Sequence, residues 1–200
     1  MNPVHNVNMA QQRSGQQADT TQDKICALLE ALKQEHPRLR AMVLLALTAG
    51  LRRGELVALE WSHLDLATSR LTICQTAELV TGQPQSIKPL KHLIRSIMLP
   101  EETMEAVRIW QQAQAFRRAN VGQNWQENPF VFTQPSGDWM RADEVTKQFR
   151  KFLNRHHLPI IPLDSLRNSA LNTTIGPGLP EQQTICARND HTPITRPEDS

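Results

Sequence analysis

The sequence predicts a mainly α-helical domain carrying a small antiparallel β-sheet. Three observations predict it. Apolar residues recur at helical spacing in separate stretches, as at Ile25, Leu28, Leu29 and Leu32 and again at Val145, Phe149, Phe152 and Leu153. Residues 71–76 and 94–99 are instead β-like, with the turn signal Thr81-Gly82-Gln83-Pro84 between them. Finally, 200 residues with 39% hydrophobic content suit one well-buried domain. We expect that domain over 20–190, with disordered tails over 1–19 and 191–200.

Residues 1–19 are Gln-rich, polar and without period. Thr20 or Thr21 can cap the first helix, with Asp23 in its first turn. Pro37 separates it from a second helix that is apolar almost all round from Met42 to Leu47, as a core helix should be. Gly50 suits its C-terminal end. A short helix then carries Glu55, Leu56 and Leu59, and Trp61 and Leu64 anchor the turn that follows. The small sheet spans 70–99, with its connecting loop near Lys88 and Lys91. Glu101 and Glu102 open a long helix where acids favour the positive end of the dipole. Met104, Val107 and Gln111 mark its inner face. After a loop over 120–129, Phe130-Val131-Phe132 reads as a short strand and Pro135-Ser136-Gly137-Asp138 as a turn. A helix follows over 142–155. Beyond Pro159 and Pro162, helices are expected over 163–175 and about 180–188.

The 22 Lys and Arg against 20 Asp and Glu leave a formal charge of +2. That balance announces no nucleic-acid partner, so local clusters must carry any such case. Cys26, Cys74 and Cys186 are far apart, odd in number and lack metal-ligand spacing, which argues for reduced thiols and against a zinc site. No apolar run reaches membrane-spanning length, and the N-terminus has no signal-peptide core. The expectation is a cytoplasmic protein with no membrane partner, metal or cofactor.

The stretch that organises the chain is Leu47-Thr48-Ala49-Gly50-Leu51-Arg52-Arg53-Gly54-Glu55-Leu56. An apolar helix runs into a glycine and then presents two guanidinium groups. A planar fork of donors can bind phosphate oxygens bidentately. The plain alternative is a surface pair between Arg52 and Glu55. The stretch resembles the first arginine motif of the tyrosine recombinases (the phage integrase family), Thr-Gly-Leu-Arg-x-x-Glu-Leu. By that resemblance Arg52 is a catalytic arginine and Arg53 a DNA contact.

Other clusters extend the resemblance. Lys88, Lys91, His92 and Arg95 form an acid-free group, and Arg95, Ile97, Leu99 and Pro100 keep the end of the family's Lys-Thr-x-x-Ser-x-Arg-x-Ile-x-Leu-Pro pattern. The family's hairpin lysine is a general acid to the leaving 5′ oxygen. Lys91 fits one register and Lys88 another; Lys91 is assigned the catalytic role, Lys88 and Arg95 DNA contacts. Pro162-Leu163-Asp164-Ser165-Leu166-Arg167-Asn168 stands beside His-x-Leu-Arg-His, which makes Arg167 the second catalytic arginine. Asp164 and Asn168 depart from that pattern, and an aspartate repels a phosphodiester. Ala187-Arg188-Asn189-Asp190-His191 stands beside Arg-Leu-Gly-His, which gives His191 a phosphate-binding place. The helix over 142–155 sets Arg141, Lys147, Arg150, Lys151 and Arg155 against Asp143 and Glu144. Lys147, Arg150 and Lys151 are therefore candidate DNA contacts, an ordinary solvated face being the alternative.

The family's nucleophile is a tyrosine nine or ten residues after this histidine, and the sequence contains none. The resemblance covers about 21–191 and thins after Pro162. It implies double-stranded DNA as a partner, full-length recombinase protomers as a second one, and a metal-free role in integrating a mobile element. Without a tyrosine the chain should not cleave alone. A truncated integrase without the family's preceding core-binding domain is expected to bind DNA weakly. A catalytically silent regulator of recombination and a decayed remnant stay open as alternatives.

Overall fold

A computed structural model of the chain describes residues 23–78, 85–91 and 93–166. The fold is built around α2 (Pro37–Thr48), whose residues from Ala41 to Leu47 are all buried. A helix this apolar must be covered on every side. Helix α1 (23–32) contributes Ile25, Leu28 and Leu32, as their spacing predicts. Pro37 starts α2, and the His36 ring caps it by accepting the Arg38 N–H at Nδ1 (3.2 Å). Burial, with Arg38 and Arg117, holds His36 below the ordinary histidine range, which keeps that nitrogen an acceptor.

The short helix α3 (Arg53–Val57) and a 3₁₀ turn (Trp61–His63) lead into the strands. Strands β1 (Leu64–Asp65), β2 (Arg70–Ile73) and β5 (Arg95–Met98) form one antiparallel sheet in the order β1-β2-β5. Strands β3 (Gln75–Glu78) and β4 (Ser86–Pro89) form a second antiparallel pair. The single sheet expected over 70–99 is thus two. Cys74 alone separates β2 from β3, and there the strand run changes partner from β5 to β4. The expected turn at 81–84 lies outside the described residues.

Helix α4 (Glu101–Val121) packs along α2 and buries Thr103, Met104, Ala106, Val107, Trp110 and Gln114. Gln111, expected on this face, is only half-buried. Gln114 is buried instead, because Nε2 donates to the Val131 carbonyl (3.1 Å) and Thr133 Oγ1 (3.1 Å), and Oε1 accepts from Trp61 Nε1 (2.9 Å). Residues 130–132 do not form the expected strand. They make an isolated bridge, Glu60 to Phe130, since the 3₁₀ turn at Trp61 carries the neighbouring backbone away. Val131 and Phe132 are nevertheless fully buried. Helix α5 (Ala142–Arg155) has the predicted bounds and buries Val145, Phe149, Phe152 and Leu153. A helical turn at 163–166 inserts Leu163 and Leu166 into the core. The expected tails, the helix beyond residue 166 and the one near 180–188 lie outside the described residues. No helix among the described residues is long and apolar enough to cross a membrane.

Phe152 is fully enclosed, and its truncation would leave a large cavity. Phe152→Ala is expected to cost about 3–5 kcal/mol, read as a lower urea midpoint with an unchanged slope.

Candidate active site

Helix α2 ends where Gly50 takes φ +60°, the left-handed conformation that favours glycine. Leu51 then plugs the core and Arg52 follows in extended conformation as the N-cap of α3. The Arg52 side chain is exposed, and no carboxylate among the described residues reaches it within ion-pair distance. The surface pair with Glu55 does not form. Glu55 is turned inward, 4% exposed, and its Oε2 accepts the Arg52 backbone N–H at 2.9 Å.

The buried carboxylate is met by Arg95 from the start of β5. Nη1 donates to Oε1 at 3.0 Å and Nη2 to Oε2 at 2.8 Å, a bidentate fork. Burial alone would raise the Glu55 pKa. The Arg95 fork and the Arg52 N–H outweigh it and hold the group below the usual carboxylate range. Arg95, expected on DNA, thus directs its fork to the interior. Its pair ties the Arg52 turn to the strand that follows the basic loop. Lys91 lies four residues before Arg95, so at most about 14 Å of chain separates them.

Gly54 adds a second constraint. A Cβ there would lie 2.6 Å from Thr76 Oγ1 and 2.7 Å from the Ala77 carbonyl oxygen, so α3 can approach β3 only without a side chain. The two candidate lysines separate at this point. Lys88 lies within β4, paired with Thr76 in register, and its Nζ contacts Glu78 Oε1 at 2.9 Å on the exposed face. Lys91 lies on the loop between β4 and β5, exposed and without an acidic partner among the described residues. The expectation of one loop bearing both therefore holds for Lys91 alone. Gln85, just before β4, ties that strand to the start of α5: Nε2 donates to the Met140 carbonyl (3.0 Å), and Oε1 accepts the Ala142 N–H (2.9 Å).

On α5, Lys147 and Arg141 both contact Asp143 at 3.2 Å, so one acid offsets two of the expected cations. Arg155 contacts Glu35 at 2.6 Å. Arg150 and Lys151 are exposed and without ion-pair partners among the described residues. Arg53 is exposed at the first turn of α3. Arg167 and His191 lie outside the described residues. Asp164 is exposed at the start of the 163–166 turn. No group of three or more His, Cys, Asp or Glu among the described residues could hold a metal ion.

Sequence reasoning missed three residues that build the site. Arg95 as the Glu55 partner is forty positions away and has no local signal. Gln85 has none either. Gly54 offered only a weak signal, a glycine inside a helical pattern where it costs stability relative to alanine.

The helical domain with its two small antiparallel sheets has the fold of tyrosine recombinase catalytic domains. The model of the phage integrase family matches residues 19–183, and the chain belongs to that family. A curated relative, described as "Tyrosine recombinase XerC-like" from Caldanaerobacter subterraneus subsp. tengcongensis (strain DSM 15242 / JCM 11007 / NBRC 100824 / MB4), is 28% identical over 171 residues, 79% of this chain and 43% of that protein. The chain therefore spans less than half the length of this relative. Among solved structures, the Tn1549 transposon integrase in complex with a circular intermediate DNA superposes with TM-score 0.61 at 16% identity, over 87% of this chain and 54% of that one. The XerA recombinase superposes with TM-score 0.56 at 18% identity, over 76% of this chain and 48% of that one.

Two outcomes follow from the Glu55 pair. Arg95→Ala strands a buried carboxylate and should cost about 3–5 kcal/mol in urea unfolding at pH 7; Arg95→Lys keeps the charge but loses the fork and should recover only part. The Glu55 pKa is lower folded than unfolded, so its stabilisation is complete above the unfolded value near 4.3 and lost as pH falls through the folded value. The stability difference between wild type and Glu55→Gln should thus be flat from pH 7 to about 5 and shrink below it, as followed by urea titrations at each pH. An unchanged difference down to pH 3 would refute the assignment.

Proposed function

We propose that this chain is a DNA-binding domain of site-specific recombination that holds a backbone phosphate of duplex DNA between Arg52 and Lys91. The observation that carries this reading is the Glu55–Arg95 fork, which joins the Arg52 turn to the strand following the Lys91 loop. Two exposed cations on elements linked by a buried ion pair are preorganised, so little ordering opposes contact with a phosphate. Family membership supplies the chemistry: arginines stabilise charge on the phosphorane-like transition state, and the loop lysine protonates the leaving 5′ oxygen. Arg167 and His191 are the further phosphate ligands of this proposal. Arg53, Arg150 and Lys151 extend the contact along the backbone, with Lys88 and Lys147 joining once phosphate displaces their carboxylates. The likeness to the integrase of the Tn1549 transposon supports mobile-element integration as the setting of this reading.

The 200 residues contain no tyrosine, so by themselves they provide no phenol nucleophile. This favours a second reading: a chain that occupies recombination sites, or joins full-length recombinase protomers, without cutting.

The test is a nicked suicide duplex from the flanks of the chain's own locus, run on native and denaturing gels. A mobility shift without a covalent adduct is expected. Arg52→Ala and Lys91→Ala should each weaken binding about tenfold and lower the salt slope by about 1. An adduct would refute the non-cutting reading, and affinity unmoved by both substitutions would refute the phosphate site.

A further inference from the structure

The loop that carries Lys91 also exposes two large aliphatic side chains, Leu93 at 66% and Ile94 at 53%. Leu90 packs against the core and its N–H bonds the Cys74 carbonyl at 2.8 Å. The Leu93 N–H bonds the Leu90 carbonyl at 2.7 Å, which closes the turn. Leu93 and Ile94 thus project away from a core that Leu90 touches. On β5, Ser96 and Met98 face outward as well, and Met98 is 54% exposed opposite Arg70. From Gln85 to Pro100 the sequence has no acidic residue.

An apolar projection bounded by cations suits a partner whose outside is anionic and whose inside is apolar. Duplex DNA has that arrangement, with phosphates flanking stacked bases. Leu, Ile and Met are among the side chains that wedge base steps apart from the minor groove, and that groove, about 6 Å wide, admits a narrow turn. We propose that Leu93 and Ile94 form a minor-groove wedge that unstacks a base step while Lys91 holds the adjacent phosphate. This rests on the DNA-binding reading above and adds what the loop does to the duplex. Pyrimidine–purine steps unstack most easily and are the expected point of entry.

The experiment uses the full chain and duplexes carrying 2-aminopurine at successive positions. Fluorescence reports unstacking, anisotropy reports affinity, and sedimentation velocity reports self-association. Wild type should raise the fluorescence about threefold at one pyrimidine–purine step. Leu93→Ser/Ile94→Ser should abolish the rise with an unchanged salt slope and an affinity loss within about fivefold. Leu93→Met/Ile94→Met, which keeps the apolar bulk, should retain the rise. Wild-type binding with no rise at any step, or a rise that survives the double serine substitution, overturns the wedge and leaves the DNA-binding reading intact. Loss of the rise in the double methionine variant also overturns it. A wild-type dimer that the serine variant dissociates, with fluorescence unmoved, assigns the patch to a second copy of the chain. No binding of any duplex by wild type overturns both readings.

Discussion

A carboxylate taken out of water has to be paired, and the Glu55 carboxylate sets the layout of the site. Burying it unpaired would cost more than a marginally stable domain can spare. Arg95 supplies the only side-chain geometry that meets both carboxylate oxygens with parallel donors, and the Arg52 N–H takes one of the remaining lone pairs. The consequence is positional. The helix turn and the sheet edge cannot drift apart without exposing or stranding a charge. Arg52 is fixed through its backbone, which leaves its guanidinium available outside.

The cations of this chain therefore divide by burial rather than by sequence cluster. Arg38 and Arg95 are spent inside. Arg38 donates to the Thr133 carbonyl at 2.8 Å and to Gln148 Oε1 at 3.2 Å, so it joins α2 to the segment after Phe132 and to α5. Burial and the nearby Arg117 lower its pKa, with Glu144 opposing them. Arg52, Arg53, Lys91, Arg150 and Lys151 remain on the surface. The first group fixes distances and the second can meet a ligand. Gln114 and Trp110 play the corresponding neutral part, both bonding the Val131 carbonyl and so holding the irregular segment after α4 against the core.

The helices were legible because their periods are long and their apolar faces wide. Helix α5 came out with its bounds intact, and α2 was recognisable as the central helix from its composition. The sheet was legible only in the stretches 71–76 and 94–99; β4 fell where a connecting loop was expected, and the pairings were not legible. The change of partner at Cys74 depends on which strand each half meets, and four-residue strands carry too little pattern to say. Phe130-Val131-Phe132 looked like a strand because burial, not pairing, selects its residues. Arg52 was singled out because a motif surrounds it. Arg95 was also noticed, but as a cation among cations. Only the fold shows that a buried acid forty positions away claims it. Local charge counts cannot separate an arginine that serves the core from one that serves a ligand.

That separation also ranks the remaining contacts. Lys88 with Glu78 and Lys147 with Asp143 are exposed pairs, and such pairs contribute little in water, about 0–1 kcal/mol. A phosphate backbone with its condensed counterions can displace so weak a partner, so neither acid blocks a polyanion. Each does lower the local field that would draw one in from solution. On the proposed phosphate site, the cations without acidic partners among the described residues, Arg52 and Lys91 above all, would set where a backbone first engages, and the paired lysines would follow. The buried Glu55–Arg95 pair bears on that proposal through position alone, since it fixes the start of the strand that follows Lys91.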